Sequence, residues 1–233
     1  MADMSTDGVT DNTDTGHRAR MRARMLQGGG DAFHDYELLE YMLGLAIPRR
    51  DTKPLAKALI ARFQSFAAVI AAEPRDLKRV PGVGDAAIAT LGFVRAAALR
   101  LQRANVYGKP VLAGWQALLD YLHADMAHLG RERFRVLFLD SRNVLIADEA
   151  MSDGTVNQTS VYVREVIHRA LDLGATALIL VHNHPSGDPK PSRDDIQLTN
   201  HVRDAARVLG IQLHDHIVIG REGHASFKAL GLL

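Results

Sequence analysis

One segment constrains this chain more than any other: His182 to Asp195, which reads HNHPSGDPKPSRDD. Two histidines stand at i and i+2, and a carboxylate follows eleven residues after the second. The residues before it, Thr176 to Val181, form a short apolar run with β-branched members, the pattern of a buried strand. Side chains alternate along a strand with period two, so His182 and His184 leave its end on the same side. A Pro/Gly-rich loop then folds back, and the pattern predicts a helix starting at Ser192. Strand end, loop and helix start can thus close His182, His184 and Asp195 around one metal ion and leave a fourth position for water.

A second reading competes for two of these residues. Ser192-x-x-Asp195 is also a helix capping box, with Ile196, Thr199, Val202, Ala206 and Leu209 as the apolar stripe behind it. Capping explains Ser192 and Asp195 without a metal. It leaves two imidazoles at a strand exit unexplained. Asp194 is the alternative carboxylate, and Pro185 and Gly187 shape the loop. Neutral imidazole and carboxylate suit zinc, here one Zn2+ per chain, though they also suit other divalent ions. With an open coordination position, water on zinc reaches a pKa of about 7. A general base within hydrogen-bond reach must then take its proton.

The spacing His-x-His-Pro-x6-Ser-x2-Asp resembles the metal-binding motif of the JAMM (MPN+) metalloproteases. It is still more similar to their bacterial branch, the RadC proteins. The resemblance implies His182, His184 and Asp195 as ligands, and Ser192 as a donor to the oxyanion of a tetrahedral intermediate. It also implies a catalytic glutamate ahead of an early core strand. Glu132, in the run from Arg131 to Asp140, matches that place, and Glu149, after the apolar run Val144 to Ala147, competes with it. In His214-Asp215-His216 the Asp-His pair matches the family and His214 departs from it. Asp215 and His216 are read as orienting a ligand histidine or as structural. Arg164-Glu165 fits the family's helix start, with Val163 where a proline is usual. The stretch Asp35 to Lys57 resembles the RadC N-terminal region, so the likeness spans all but the first sixteen residues.

Composition narrows the classes. With 233 residues and 47% hydrophobic residues the chain can bury a sizeable core in one large or two small domains. No apolar stretch approaches the roughly eighteen residues of a membrane span, and the polar start has no apolar signal core. Zero cysteines exclude disulfides, thiolate zinc sites and a cysteine nucleophile, and argue against the zinc deaminases, which pair H-x-E with a Cys-x-x-Cys. A cytoplasmic location and no membrane partner are expected. The net charge is +1, yet residues 17–105 carry a surplus of seven positive charges. A basic front half suggests a polyanion partner, and the alternative is a solvated helix face.

The expected architecture is α/β: a disordered tail over 1–16, an all-helical domain over 17–105, a linker over 106–110 and a three-layer JAMM domain over 111–233. The resemblance adds that this last domain is close to the cytidine-deaminase type. Within the helical part, Leu77 to Leu91 looks like a helix-hairpin-helix. Gly82 and Gly84 allow the sharp turn, and Lys78 and Arg79 stand beside a helix N-terminus suited to phosphate. These four are the candidate contacts to DNA backbone, which such hairpins hold without reading sequence. The competing role is protein packing. The expected activity is zinc-dependent amide or isopeptide hydrolysis of a protein or peptide substrate. A DNA-binding scaffold with a non-catalytic metal site and a metal-dependent nuclease are the alternatives.

Overall fold

The computed structural model describes residues 13–153 and 162–233. Most of the expected tail, and Val161 at the expected start of a later helix, lie outside them. The chain divides into two compact units: Met1–Ile70 with Pro74–Phe93, and Ala71–Glu73 with Val94–Leu233.

In the first unit the described residues are helical: α1 (Thr13–Gly28), α2 (Asp35–Ala46), α3 (Lys53–Phe63), α4 (Phe66–Ala71), α5 (Pro74–Leu77) and the start of α6 (Asp85–Val106). Residues 13–16 therefore belong to a helix and not to a tail. Once a turn is nucleated, each added residue contributes a hydrogen bond, and polar composition alone does not mark where that stops. Leu39 and Leu43 of α2 pack with Leu55, Ala56 and Leu59 of α3, all buried. The Glu37 carboxylate caps α2 by accepting the His34 N–H at 3.1 Å, and Arg24 grips it with two bonds of 3.0 Å. The hairpin's first helix is a single turn, α5, and α6 is long. Gly82 sits at φ +88, where a side chain is disfavoured. Gly84 does not, and a Cβ there would meet nothing. The turn's conformation thus needs Gly82 alone.

The second unit is built on a five-stranded sheet. After α7 (Trp115–Met126) come β1 (Arg133–Leu139), β2 (Leu145–Asp153), α8 (Val163–Asp172), β3 (Ala177–Asn183), α9 (Arg193–Val208), β4 (Gln212–Gly220) and β5 (Gly223–Ser226). The strand order is β2-β1-β3-β4-β5. Only β3 and β4 are parallel, joined by the α9 crossover. This is an α/β arrangement. One face packs Leu118, Leu122 and Met126 of α7 against Leu137, Ile179 and Ile217. The other packs Val166 of α8 and Val202 of α9 against Phe134, Val136 and Leu180. Strands buried on both faces are near-continuous apolar runs, as β1 and β3 are.

Three expectations change here. Residues 106–110 are no free linker: Val106 and Val111 are buried, Pro110 bridges Val144, and the Val111 N–H donates to the Asn143 carbonyl at 2.8 Å. The apolar residues at each end fasten the segment. The strand expected over 176–181 continues to Asn183, which puts His182 inside it. A fifth strand, β5, also forms, although Gly-His-Ala-Ser has no strand pattern. Among the described residues no helix is long and apolar enough to cross a membrane.

Candidate metal centre

β3 is buried along its whole length, and antiparallel register pairs Phe134 of β1 with His182. His182 is therefore 1% exposed, on the sheet face that α8 and α9 cover. Two residues on, beyond the strand, stands His184. Asp195 is the third residue of α9, which Ser192 caps. These three are the one group of metal-ligating side chains gathered among the described residues.

The hydrogen bonds decide what the group can hold. His184 Nδ1 lies 2.9 Å from the Asp188 carbonyl, which can only accept, so Nδ1 carries the proton. Its Nε2 keeps a lone pair, 3.0 Å from His182 Nε2. Asp195 Oδ1 lies 3.3 Å from His182 Nε2, and Oδ2 lies 3.5 Å from His184 Nε2. Acceptors this close repel unless something positive sits among them. A proton relieves one pair at a time; a cation relieves all three. Zinc bonds of about 2.0–2.1 Å at tetrahedral angles set ligand atoms roughly 3.3 Å apart. One donor atom from each of the three residues lies within 4.8 Å of the other two, with His182 Nε2 3.0 Å from His184 Nε2 and 3.3 Å from Asp195 Oδ1, so the donor set suits zinc.

The imidazoles and Asp195 also answer one another's charge. Burial alone would raise the Asp195 carboxyl, yet hydrogen bonds with His182, His184 and Ser192 and the nearby imidazoles hold it well below the usual carboxylate range. The bond to Asp195, first of all, raises His184 above its ordinary value against the effect of burial; the Asp188 carbonyl and the charge of Glu132 add to this. Burial lowers His216 well below its ordinary value.

The capping box is also present. The Ser192 hydroxyl accepts the Asp195 N–H at 3.1 Å and donates to Asp195 Oδ2 at 2.7 Å; the Ser192 N–H donates to the same oxygen at 2.7 Å. The one proton of Ser192 therefore lies on Asp195.

Glu132 and Glu149 separate clearly. Glu132 stands immediately before β1, two residues from the Phe134–His182 pair, and its charge acts on His184. Glu149 pairs instead with Val136, and Arg169 of α8 holds it through bonds of 2.8 and 2.6 Å. It ties an edge strand to a helix.

Several residues that sequence reasoning missed shape the site. Asn183, between the two histidines, accepts the Arg133 N–H at 2.9 Å and donates to the Arg131 carbonyl at 3.1 Å. Those bonds bracket Glu132 on both sides. Arg221, after β4, donates to the Pro185 and Ser186 carbonyls at 2.6 and 3.1 Å. Its N–H reaches the Gly187 carbonyl at 3.0 Å. Gly220 makes this approach feasible, since a Cβ there would stand 2.3 Å from the Gly187 oxygen. Asp215, which the sequence did single out, accepts the His216 and Lys228 N–H groups and the Ser226 hydroxyl, which fixes the β4–β5 end and makes its role structural.

The candidate nucleic-acid contacts are in the first unit. Lys78 lies 3.4 Å from Asp85, and Arg79 lies 2.9 Å from Asp76, so acids answer both cations. Arg50 approaches the turn at Gly82.

Residues 112–232 match the family model of the RadC-like JAB domain. The second unit is thus a domain of the JAB (JAMM) class, a family of metal-dependent hydrolases. Two curated relatives extend the likeness toward the N-terminus. A UPF0758 protein of Rhodobacter capsulatus is 57% identical over 213 residues, covering 91% of this chain and 100% of the relative. A UPF0758 protein of Ruegeria pomeroyi is 52% identical over 217 residues, covering 93% and 97%. The chain belongs to the RadC family.

Proposed function

We propose that this protein is a zinc-dependent hydrolase of JAMM type that cleaves amide or isopeptide bonds in a protein or peptide substrate. The observation that carries the reading is the donor set: His182, His184 and Asp195 each bring a ligand atom within 4.8 Å of the others, and the charge of Glu132 acts on His184. His182 Nε2, His184 Nε2 and Asp195 would hold the ion. Zinc with one open position supplies water acidified to a pKa of about 7 and polarises a carbonyl. Glu132 takes the proton of the attacking water and passes it to the leaving nitrogen. Asn183 holds the backbone on either side of that glutamate. Ser192 keeps Asp195 turned toward the histidines and reaches a developing oxyanion only by giving up its bond to Oδ2. Phosphodiester hydrolysis is less well supported, because such nucleases generally use two metals and the described residues gather one three-ligand group.

A second, separate role rests on the basic surplus over 17–105 and the turn at Gly82: non-specific contact with DNA backbone through Lys78, Arg79 and the α6 start. Binding would weaken steeply with added salt.

Elemental mass spectrometry of the purified protein tests the first reading, beside a His182→Ala/His184→Ala double variant. The expected result is close to one zinc per chain, lost in the double variant. Glu132→Gln should keep zinc and lose turnover in a peptide and isopeptide screen. Wild-type protein still empty after zinc is offered overturns the reading. A Glu132→Gln protein with full cellular function points to a scaffold.

A further inference from the structure

His216 is fully buried and in contact with a proposed ligand, and the sequence leaves open whether it orients that ligand or only fills space. We propose that His216 and Thr199 are positioning residues of the metal centre: they lock His182 in the tautomer whose Nε2 lone pair faces the ion. The proposal rests on the zinc reading above and adds the device that prepares the ligand.

The hydrogen bonds run in one direction only. Thr199 Oγ1 lies 2.5 Å from the Asp195 carbonyl, which can only accept, so the hydroxyl proton goes there. The same oxygen lies 2.6 Å from His216 Nδ1 and has only lone pairs left to offer. His216 Nδ1 must therefore carry a proton. His216 Nε2 is 2.8 Å from His182 Nδ1. The His216 ring sits against Phe134 and Phe227 at centroid distances of 5.7 and 4.6 Å, with no exposure to water. A neutral ring in that setting has one proton, already on Nδ1, so Nε2 accepts. His182 Nδ1 donates to it, and His182 Nε2 is left bare.

The lock has something to oppose. Without it, His182 could move its proton to Nε2, where Asp195 Oδ1 waits at 3.3 Å. That arrangement satisfies the carboxylate and places a hydrogen where the ion belongs. The chain of bonds also returns to its start. Thr199 anchors on the backbone of Asp195 itself, one turn earlier in α9, so one relay sets the tautomer of one ligand and the helix position of another. Partners of this kind, which orient metal ligands, typically matter by 10–100-fold in affinity.

The test compares Thr199→Val, Thr199→Ser and His216→Leu with wild type. Zinc affinity is read by competition with a chromophoric chelator, and the His182 tautomer by nitrogen-15 shifts in histidine-labelled, metal-free protein. The serine variant keeps the hydroxyl and should match wild type. The valine and leucine variants should lose roughly 10–100-fold in zinc affinity and show His182 protonated at Nε2 or in mixture. A packing role alone would lower stability in urea and leave the tautomer signal in place. Wild-type affinity in folded Thr199→Val, with His182 still protonated at Nδ1, overturns the proposal. Wild type that binds no zinc overturns the zinc reading instead, and the tautomer shifts still decide whether the lock exists.

Discussion

Replacing Gly220 by alanine is the sharpest test of how the metal loop is held, because Gly220 ligates nothing. Its φ lies outside the left-handed region, so an alanine there is strained only by what it touches. The added Cβ would stand 2.3 Å from the Gly187 oxygen, 2.8 Å from Pro189 Cδ and 3.0 Å from the Pro189 nitrogen. Carbon and oxygen without a covalent bond rest about 3.3 Å apart, so the loop must withdraw by about 1 Å. The atoms in the way are mostly backbone, and no side chain can swing aside. Two effects then compete. Alanine restricts the unfolded chain and stabilises by about 0.4–1 kcal/mol. Overpacking costs about 1–3 kcal/mol. The steric cost wins, and a net loss of about 1–2 kcal/mol is expected.

The loop carries His184 with it. Ligand positions need to hold within about 0.2 Å of their ideal distances, and a shift of about 1 Å exceeds that several-fold. Zinc affinity should therefore fall while His182, fixed inside β3, stays where it is. Urea denaturation gives the first quantity and chelator competition the second. Gly92→Ala is the control: it lies in α6 with nothing within 4 Å of an added Cβ. It should gain up to about 1 kcal/mol and leave zinc affinity alone. If Gly220→Ala is as stable as wild type and binds zinc as tightly, the account of Arg221 and Gly220 as the loop's anchor is wrong.

Other expectations are equally specific. Ser192→Ala should cost about 1 kcal/mol in urea and Ser192→Gly only a few tenths, since glycine is a tolerable cap. Both lose the hydroxyl bond to Asp195, so their zinc affinities should fall together, and unchanged affinity in both would remove Ser192 from the site. Asp148→Ala leaves Arg135, 8% exposed, with Asp125 and the Tyr121 hydroxyl as its remaining partners, so a loss of about 1.5–3 kcal/mol is expected. Wild-type stability in the single variant would mean that water reaches this group. The hydrogen bond from Arg24 lowers Glu37 from 4.5 to about 2. A lowered folded value stabilises above the unfolded one, so this contribution is lost as pH falls from about 4.5 through about 2. Glu37→Gln should flatten that part of the acid limb in urea midpoints measured against pH, and an unchanged limb would exclude the pair as its source.

The metal loop was legible because it is local. A buried strand, a turn-rich loop and a capped helix each have their own signature, and all three proposed ligands lie within fourteen residues. What was not legible is what that loop rests against. Glu132 comes near His184 only through the pairing of β1 with β3, which no local pattern around Arg131 announces; the family likeness supplied it. Asn183 was one letter between two histidines until its side chain was seen bridging Arg131 and Arg133. Thr199 read as part of an apolar stripe, because a hydroxyl returning to the carbonyl one turn earlier is invisible in a periodicity. β5 was missed because four residues without branched or aromatic side chains carry no strand signal. Gly84 was over-read, since the turn takes its positive φ from Gly82 alone.

The two readings of Ser192 and Asp195, helix cap and metal ligand, do not exclude each other in this geometry. Asp195 divides its carboxylate. Oδ2 receives the Ser192 N–H and hydroxyl that close the capping box, while Oδ1 faces His182. A carboxylate pinned by two donors loses little further freedom when it meets an ion, so the cap lowers the entropic cost of ligation. The same holds for His184, tied to the Asp188 carbonyl, and for His182, tied to His216. None of these bonds involves the metal, and the layers of apolar packing on both sheet faces are complete without it. This unit should therefore fold before it is loaded, unlike a zinc finger, whose core depends on the ion. Chelation should then lower its stability only by the mass-action amount, about 2.7 kcal/mol when free zinc stands at a hundred times its dissociation constant.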